Sequence, residues 1–225
     1  IEEQFYLVFP VIVLIIACAQ RFIILGWTAI IGAMLFAIFL RGINWHEHGE
    51  AAMTAQSFME HIYYSSFTRF DELLPGVAIA LIKNFHPKTY DSILRRGNLL
   101  LFAGLCSAGI IFYLFHNYAY IPGYGRTFYV GTFGYSLLAI SFAILTLAAL
   151  SPNSVLYHTR IPGAASLALW SYAIYLIHKP LFQILKSPLA ENNIDINGGL
   201  GVIIIMTVSI FCGWMLYFCV ETPFM

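Results

Sequence analysis

The stretch from Gly198 to Val220 runs for its whole length without a charged residue, and its centre reads Gly201-Val202-Ile203-Ile204-Ile205-Met206. A strand of a membrane barrel alternates apolar and polar residues over about ten positions. This run does not alternate. In hydrocarbon, only a helix satisfies all its own backbone groups within one segment. The stretch is therefore read as a transmembrane helix, and others like it follow along the chain. They are Phe5 to Ala19, Phe22 to Leu40, Leu99 to Phe115, Phe128 to Leu150 and Ala165 to Leu185. A further run, Leu73 to Ile82, has only about half the ~20 residues needed to cross. It reaches span length only by taking in Ser65 to Glu72, and with them Arg69, Asp71 and Glu72. The expectation is an all-α, polytopic transmembrane helix bundle with about seven helices here. The segment Gly42 to about Phe58 is expected to be a polar loop with some interfacial helix.

Composition agrees. Of 225 residues, 60% are hydrophobic and only 10% charged, where a soluble domain carries about 25% charged residues. Mean hydropathy is +0.79. Eleven basic residues balance eleven acidic ones, so no basic face is available for nucleic acid. Lipid is the expected surrounding. Cys18, Cys106, Cys212 and Cys219 all fall inside apolar runs without the paired spacing of a zinc site. They are read as small buried hydrophobes. Trp45-His46-Glu47-His48 lacks the i,i+4 histidine spacing of a zinc helix and is read as solvated loop. No metal is expected. The start, Ile1-Glu2-Glu3-Gln4, has no basic region ahead of a short apolar stretch, so the first run is not read as a signal peptide. The chain is expected to continue beyond both ends.

Orientation follows from Lys and Arg in the loops. With the first residues outside, the inner loops hold Arg21, Lys83, Lys88, Arg95, Arg96 and Arg160, and the outer ones Arg41, Arg126 and Lys186. The first and third helices then place Glu2, Glu3, Arg69, Asp71 and Glu72 in their outer turns. The sixth places His178 and Lys179 near its outer end. An ionisable group inside a span costs about 2.5 to 3.5 kcal/mol on insertion scales, so each needs a reason. Each also has a plain one: dipole complement for Glu2 and Glu3, an ion pair of Arg69 with Asp71 or Glu72, a snorkelling Lys179, a hydrogen-bonded core His178. Polar groups from three helices at one level are what a site open to the outer side looks like. Tyr113, Tyr118, Tyr120, Tyr124 and Tyr129 form either an interfacial aromatic belt or a sugar-stacking platform.

Four segments carry a resemblance. Glu2-Glu3-Gln4-Phe5-Tyr6-Leu7 with Pro10 resembles the opening signature of the bacterial integral-membrane acyltransferase-3 family, and this chain starts within it. Arg69-Phe70-Asp71-Glu72-Leu73-Leu74-Pro75-Gly76 is similar to that family's R-x-D-x-L-x-x-G element. Ser171-Tyr172-Ala173-Ile174-Tyr175-Leu176-Ile177-His178-Lys179-Pro180 is similar to its S-Y-x-x-Y-L-x-H-x-P element. Val220-Glu221-Thr222-Pro223-Phe224 is similar to the closing one. The resemblance implies a membrane O-acyltransferase that moves an acetyl or other short acyl group from acyl-CoA, with no bound cofactor, to a hydroxyl of a carbohydrate or glycolipid acceptor. It implies the bacterial inner membrane. It also implies a domain of roughly ten helices, of which residues 1–225 are a single part lacking the N-terminal helices, and a main catalytic base in that preceding part. Transferred residue by residue, Glu3 polarises groups at the first helix, Arg69 and Asp71 form a paired element that shapes the pocket, and His178 and Tyr172 exchange hydrogen bonds with acceptor or intermediate. Glu2, Tyr6 and Tyr175 complete the acceptor-binding set. A transporter or flippase, and a non-catalytic membrane fragment, are the competing readings.

Overall fold

The computed structural model describes residues 2–18, 21–49, 55–118, 120–121, 125–192, 194–196 and 198–224; within these, the side chains of residues 2–4, 17, 49, 55, 120–121, 125–126 and 224 are outside the description. The chain divides into two units, Ile1–Thr159 and Arg160–Met225.

In the first unit α1 (Glu2–Ala17) and α2 (Phe22–Gly49) lead to α3 (Ala55–Phe58), which runs directly into a π-turn, Met59–Tyr63. Two 3-10 turns, Ser66–Thr68 and Phe70–Leu73, precede α4 (Leu74–Phe85) and α5 (Pro87–Leu94). Then come α6 (Gly97–Tyr118), a two-residue antiparallel pair of β1 (Tyr120–Ile121) with β2 (Gly125–Arg126), α7 (Phe128–Leu150) and α8 (Val155–His158). The second unit holds α9 (Ala164–Glu191), α10 (Gly199–Leu216), a π-turn over Tyr217–Glu221 and α11 (Thr222–Phe224).

Among the described residues four helices are long and apolar enough to cross a membrane: Phe22–His48, Gly97–Tyr118, Phe128–Leu150 and Gly199–Glu221. The chain is thus a helical membrane protein by architecture. Three of the seven expected spans differ. The 16 residues of α1 reach about 24 Å and the 12 of α4 about 18 Å, against a hydrocarbon core of about 30 Å. The 28-residue α9 has the length, but its apolar run is interrupted by His178, Lys179, Pro180 and Lys186. The reason for the short α4 is local. Arg69 takes φ −133° and ψ −1°, outside the helical region, so Ser65 to Glu72 does not extend the helix. Pro75 then sits in the first turn, where its missing N–H costs nothing.

In the stretch from Gly42, expected as loop with some interfacial helix, the part up to Gly49 is a continuation of α2. The 28 residues of α2 rise about 42 Å, so the helix continues past the hydrocarbon and carries Trp45, His46, Glu47 and His48 on its last turns. Glu50 lies outside the described residues. The cysteines are not buried: Cys18, Cys106 and Cys219 are exposed and Cys212 is half-buried, all unpaired.

The distribution of side chains is inverted relative to a water-soluble protein. Leu7, Phe102 and Leu200 are among the most exposed residues, and the largest fully buried side chain is that of Arg41. With hydrocarbon outside, apolar faces need no cover and helices meet through small residues. A Cβ on Gly104 of α6 would stand 2.7 Å from Leu145 of α7, and one on Gly213 of α10 would stand 3.0 Å from the Ile174 backbone of α9.

Candidate functional site

Arg41 lies on α2, seven residues before His48, and its guanidinium is completely enclosed. Nε donates to the Thr132 carbonyl at 2.8 Å. Nη1 donates to the Thr68 carbonyl at 2.6 Å and to Asp71 Oδ1 at 2.9 Å. Nη2 donates to Asp71 Oδ2 at 3.0 Å and to Ser136 Oγ at 2.5 Å. These five bonds exhaust the five donors of the fork. Ser136 in turn donates to Asp71 Oδ2, and both members of the ion pair have no exposed side-chain surface. Such a pair repays its desolvation only when geometry and remaining hydrogen bonds are complete, as they are here. The cluster joins α2, the 3-10 segment and α7. Thr68 reinforces it by donating from its hydroxyl to the Ile62 carbonyl at 2.7 Å.

One atom beside this cluster is unsatisfied. Thr132 Oγ1 is buried without a hydrogen-bond partner, while the same residue's carbonyl receives Arg41. An orphaned buried hydroxyl carries its full desolvation cost. Thr132→Val, which keeps the shape and the carbonyl, is expected to stabilise the protein by about 1 kcal/mol. A thermal unfolding series in detergent checks it.

Arg69 is held quite differently. It pairs with Glu72, not Asp71, through Nε to Oε1 at 2.5 Å and Nη2 to Oε2 at 2.8 Å. Its Cζ stands 4.5 Å from the ring centroids of both Tyr63 and Tyr135. The two centroids are 6.4 Å apart, so the rings form the walls of a corner, not a sandwich. Cation–π attraction and a bidentate carboxylate fix the guanidinium on three sides. The Nη1 edge takes no part in the Glu72 pair, and the side chain keeps 17% exposure. A held, partly open cation is suited to an anionic or charge-developing ligand; the sealed Arg41 is not. The corner is built on a packed base, with Phe58 and Ile62 buried against Trp45, Tyr63 and Tyr135.

In the second unit, α9 carries the other expected residues. Tyr172 and Tyr175 are exposed, and His178 is half-buried. His178 Nδ1 lies 2.6 Å from the Tyr175 carbonyl. A carbonyl only accepts, so Nδ1 is the donor in this contact and Nε2 is left outside it. Tyr6 on α1 is exposed. Glu2 and Glu3 open α1, but their side chains lie outside the described residues. Among the described residues no group of three or more His, Cys, Asp or Glu could hold a metal ion.

Comparison with family models, curated proteins and solved structures gives no match.

The expected pairing of Arg69 with Asp71 is therefore replaced by two pairs, Arg69–Glu72 and Arg41–Asp71. Four contributors escaped the sequence reading: Arg41, Ser136, Tyr63 and Tyr135. Arg41 ends an apolar run and was counted among the outer loop charges. Only the half-apolar continuation Ile43-Asn44-Trp45 hints that the helix goes on. Removing Arg41 changes the loop tally expected from the sequence from six against three to six against two. Nothing in the sequence marks Ser136 among the other hydroxyls of α7.

Proposed function

We propose that the chain is part of a bacterial inner-membrane O-acyltransferase, moving a short acyl group from acyl-CoA to a hydroxyl of a carbohydrate or glycolipid. The supporting observation is Arg69: a guanidinium fixed by two aromatic walls and one carboxylate, partly open, inside the second of the four ordered elements. In acyl transfer, negative charge develops on the thioester carbonyl oxygen as the acceptor oxygen attacks. A preorganised cation at that point stabilises the transition state more than the ground state. Asp71 acts at one remove. Bonded to Arg41 and Ser136, it fixes the turn that begins α4 and so positions Arg69. His178, through Nε2, accepts the proton of an acceptor hydroxyl or relays it. Glu3 polarises the groups at the start of α1, and Glu2, Tyr6, Tyr172 and Tyr175 contact the acceptor. The first residues lie on the extracytoplasmic side, as the six-to-two loop charges favour.

The test is mass spectrometry of surface glycans from cells with and without the full-length gene. Gain of one acyl mass on a hydroxyl, dependent on Arg69, supports the reading. Unchanged glycans together with movement of a glycolipid across reconstituted vesicles would support a flippase instead. The interrupted path from α3 through the turns to α4 is the feature that favours that second reading, since transporters use broken helices around their sites.

A further inference from the structure

His48 on the last turn of α2 and His61 on the π-turn are stacked, with ring centroids 3.8 Å apart and planes 26° from parallel. Each Nδ1 faces a carbonyl of its own helix, His48 that of Asn44 at 3.1 Å and His61 that of Ser57 at 3.0 Å. Both Nδ1 atoms therefore carry hydrogen, and both Nε2 atoms hold lone pairs open to protonation. The near-parallel planes exclude a shared metal ion. It would have to lie about 2.0–2.1 Å from both nitrogens and in both ring planes at once. The chemistry left to the pair is protonic. A stack of two neutral rings, or of one neutral and one cationic ring, is attractive. Two cations at this separation repel.

The pair also occupies a joint. Besides the stack, α2 holds the π-turn through Asn44 Nδ2, which donates to the His61 carbonyl at 2.9 Å. Two residues further on, Tyr63 forms one wall around Arg69. His48 is exposed and so open to solvent protons. The charged neighbours on the packed elements are accounted for. Asp71 is neutralised by Arg41 and Glu72 by Arg69. Glu60 accepts from Gln56. Glu47 adjoins His48 in sequence, and His46 is turned to Trp45 and Phe128. Lys83 lies near the end of α4.

We propose that the His48–His61 stack is a proton-sensitive latch: with at most one proton it clamps the π-turn to α2 and keeps Tyr63 against Arg69, and with two it releases that turn. The sign follows. Two cations in one stack repel, so the latch holds at neutral pH and opens on acidification. Control over Arg69 chemistry rests on the function proposed above; the latch itself does not.

The experiment is amide hydrogen exchange of the full-length protein in lipid nanodiscs at about pH 7.5 and about pH 5, either side of the imidazole value, corrected for the intrinsic chemical rate. Protection of Met59–Tyr64 is expected to fall on the order of tenfold on acidification, while α6 and α7 keep theirs. His61→Phe retains a stackable ring without a proton site, and His48→Gln removes one charge. In His61→Phe the segment is expected to stay protected at both pH values; in His48→Gln, which removes a ring of the clamp, protection is expected to be reduced and equal at both. Equal protection of the wild-type segment at both pH values overturns the latch. So does an acid-induced loss that persists in His61→Phe, or one that spreads equally to α6 and α7. None of these outcomes depends on whether acyl transfer is detected.

Discussion

Arg41→Leu is expected to destabilise the protein by about 3–5 kcal/mol, the cost of leaving a buried carboxylate without its partner. The loss goes beyond one ion pair. Asp71 would keep only the Ser136 hydroxyl, and the Thr68 and Thr132 carbonyls would lose the donors that reach them from α2. Water cannot fill the gap cheaply, because both side chains are wholly enclosed. Asp71→Leu alone should be comparably damaging, since it strands the guanidinium. The informative variant is the double one. With both charges gone, neither is stranded, and apolar replacements of similar size often match the original pair in stability. Arg41→Leu/Asp71→Leu is therefore expected to recover more than half of what either single change loses. Unfolding midpoints of the four proteins, compared as a double-mutant cycle, measure the coupling. If the single changes cost less than about 1 kcal/mol, as exposed pairs do, the cluster is not the buried anchor described here.

This cluster also marks where sequence reading succeeded and where it stopped. The apolar runs were legible because lipid imposes one rule on every residue of a span, and continuous runs such as Gly201 to Met206 obey it. The boundaries were less legible. Arg41 was read as the end of a helix because an arginine in hydrocarbon is costly. The cost vanishes when five acceptors surround it, and those acceptors come from Thr68, Asp71, Thr132 and Ser136. Residues 27 to 95 positions apart in sequence cannot be matched by spacing. The sequence left Arg69 two partners, Asp71 and Glu72, and the choice between them was not legible for a related reason. Asp71 and Glu72 are adjacent carboxylates, and which of them Arg69 reaches is decided by a backbone turn at Arg69 itself. The motif identified the right short segment; the geometry reassigned the partners within it. The α9 residues kept the helix expected of them, and Nδ1 of His178 gained a fixed donor role that no sequence spacing indicates.

The second large effect concerns that reassignment. If Arg69 stabilises charge in the transition state, Arg69→Ala is expected to lower acyl transfer by about 10²–10³-fold, the range for loss of one preorganised donor in an acyl-transfer site. Arg69→Lys separates charge from geometry. A lysine keeps the cation but loses both the bidentate grip on Glu72 and the flat face that Tyr63 and Tyr135 border. It should therefore retain little of the activity if a fixed guanidinium is what matters, and most of it if charge alone does. Stability provides the control. Arg69 is partly exposed and its pair with Glu72 is local, three residues apart, so either change should shift the unfolding midpoint far less than Arg41→Leu does. Loss of activity with a preserved midpoint places Arg69 at the chemistry. A midpoint falling as steeply as that of Arg41→Leu would instead make Arg69 a second structural anchor, and would leave the open site to His178 and the tyrosines of α9.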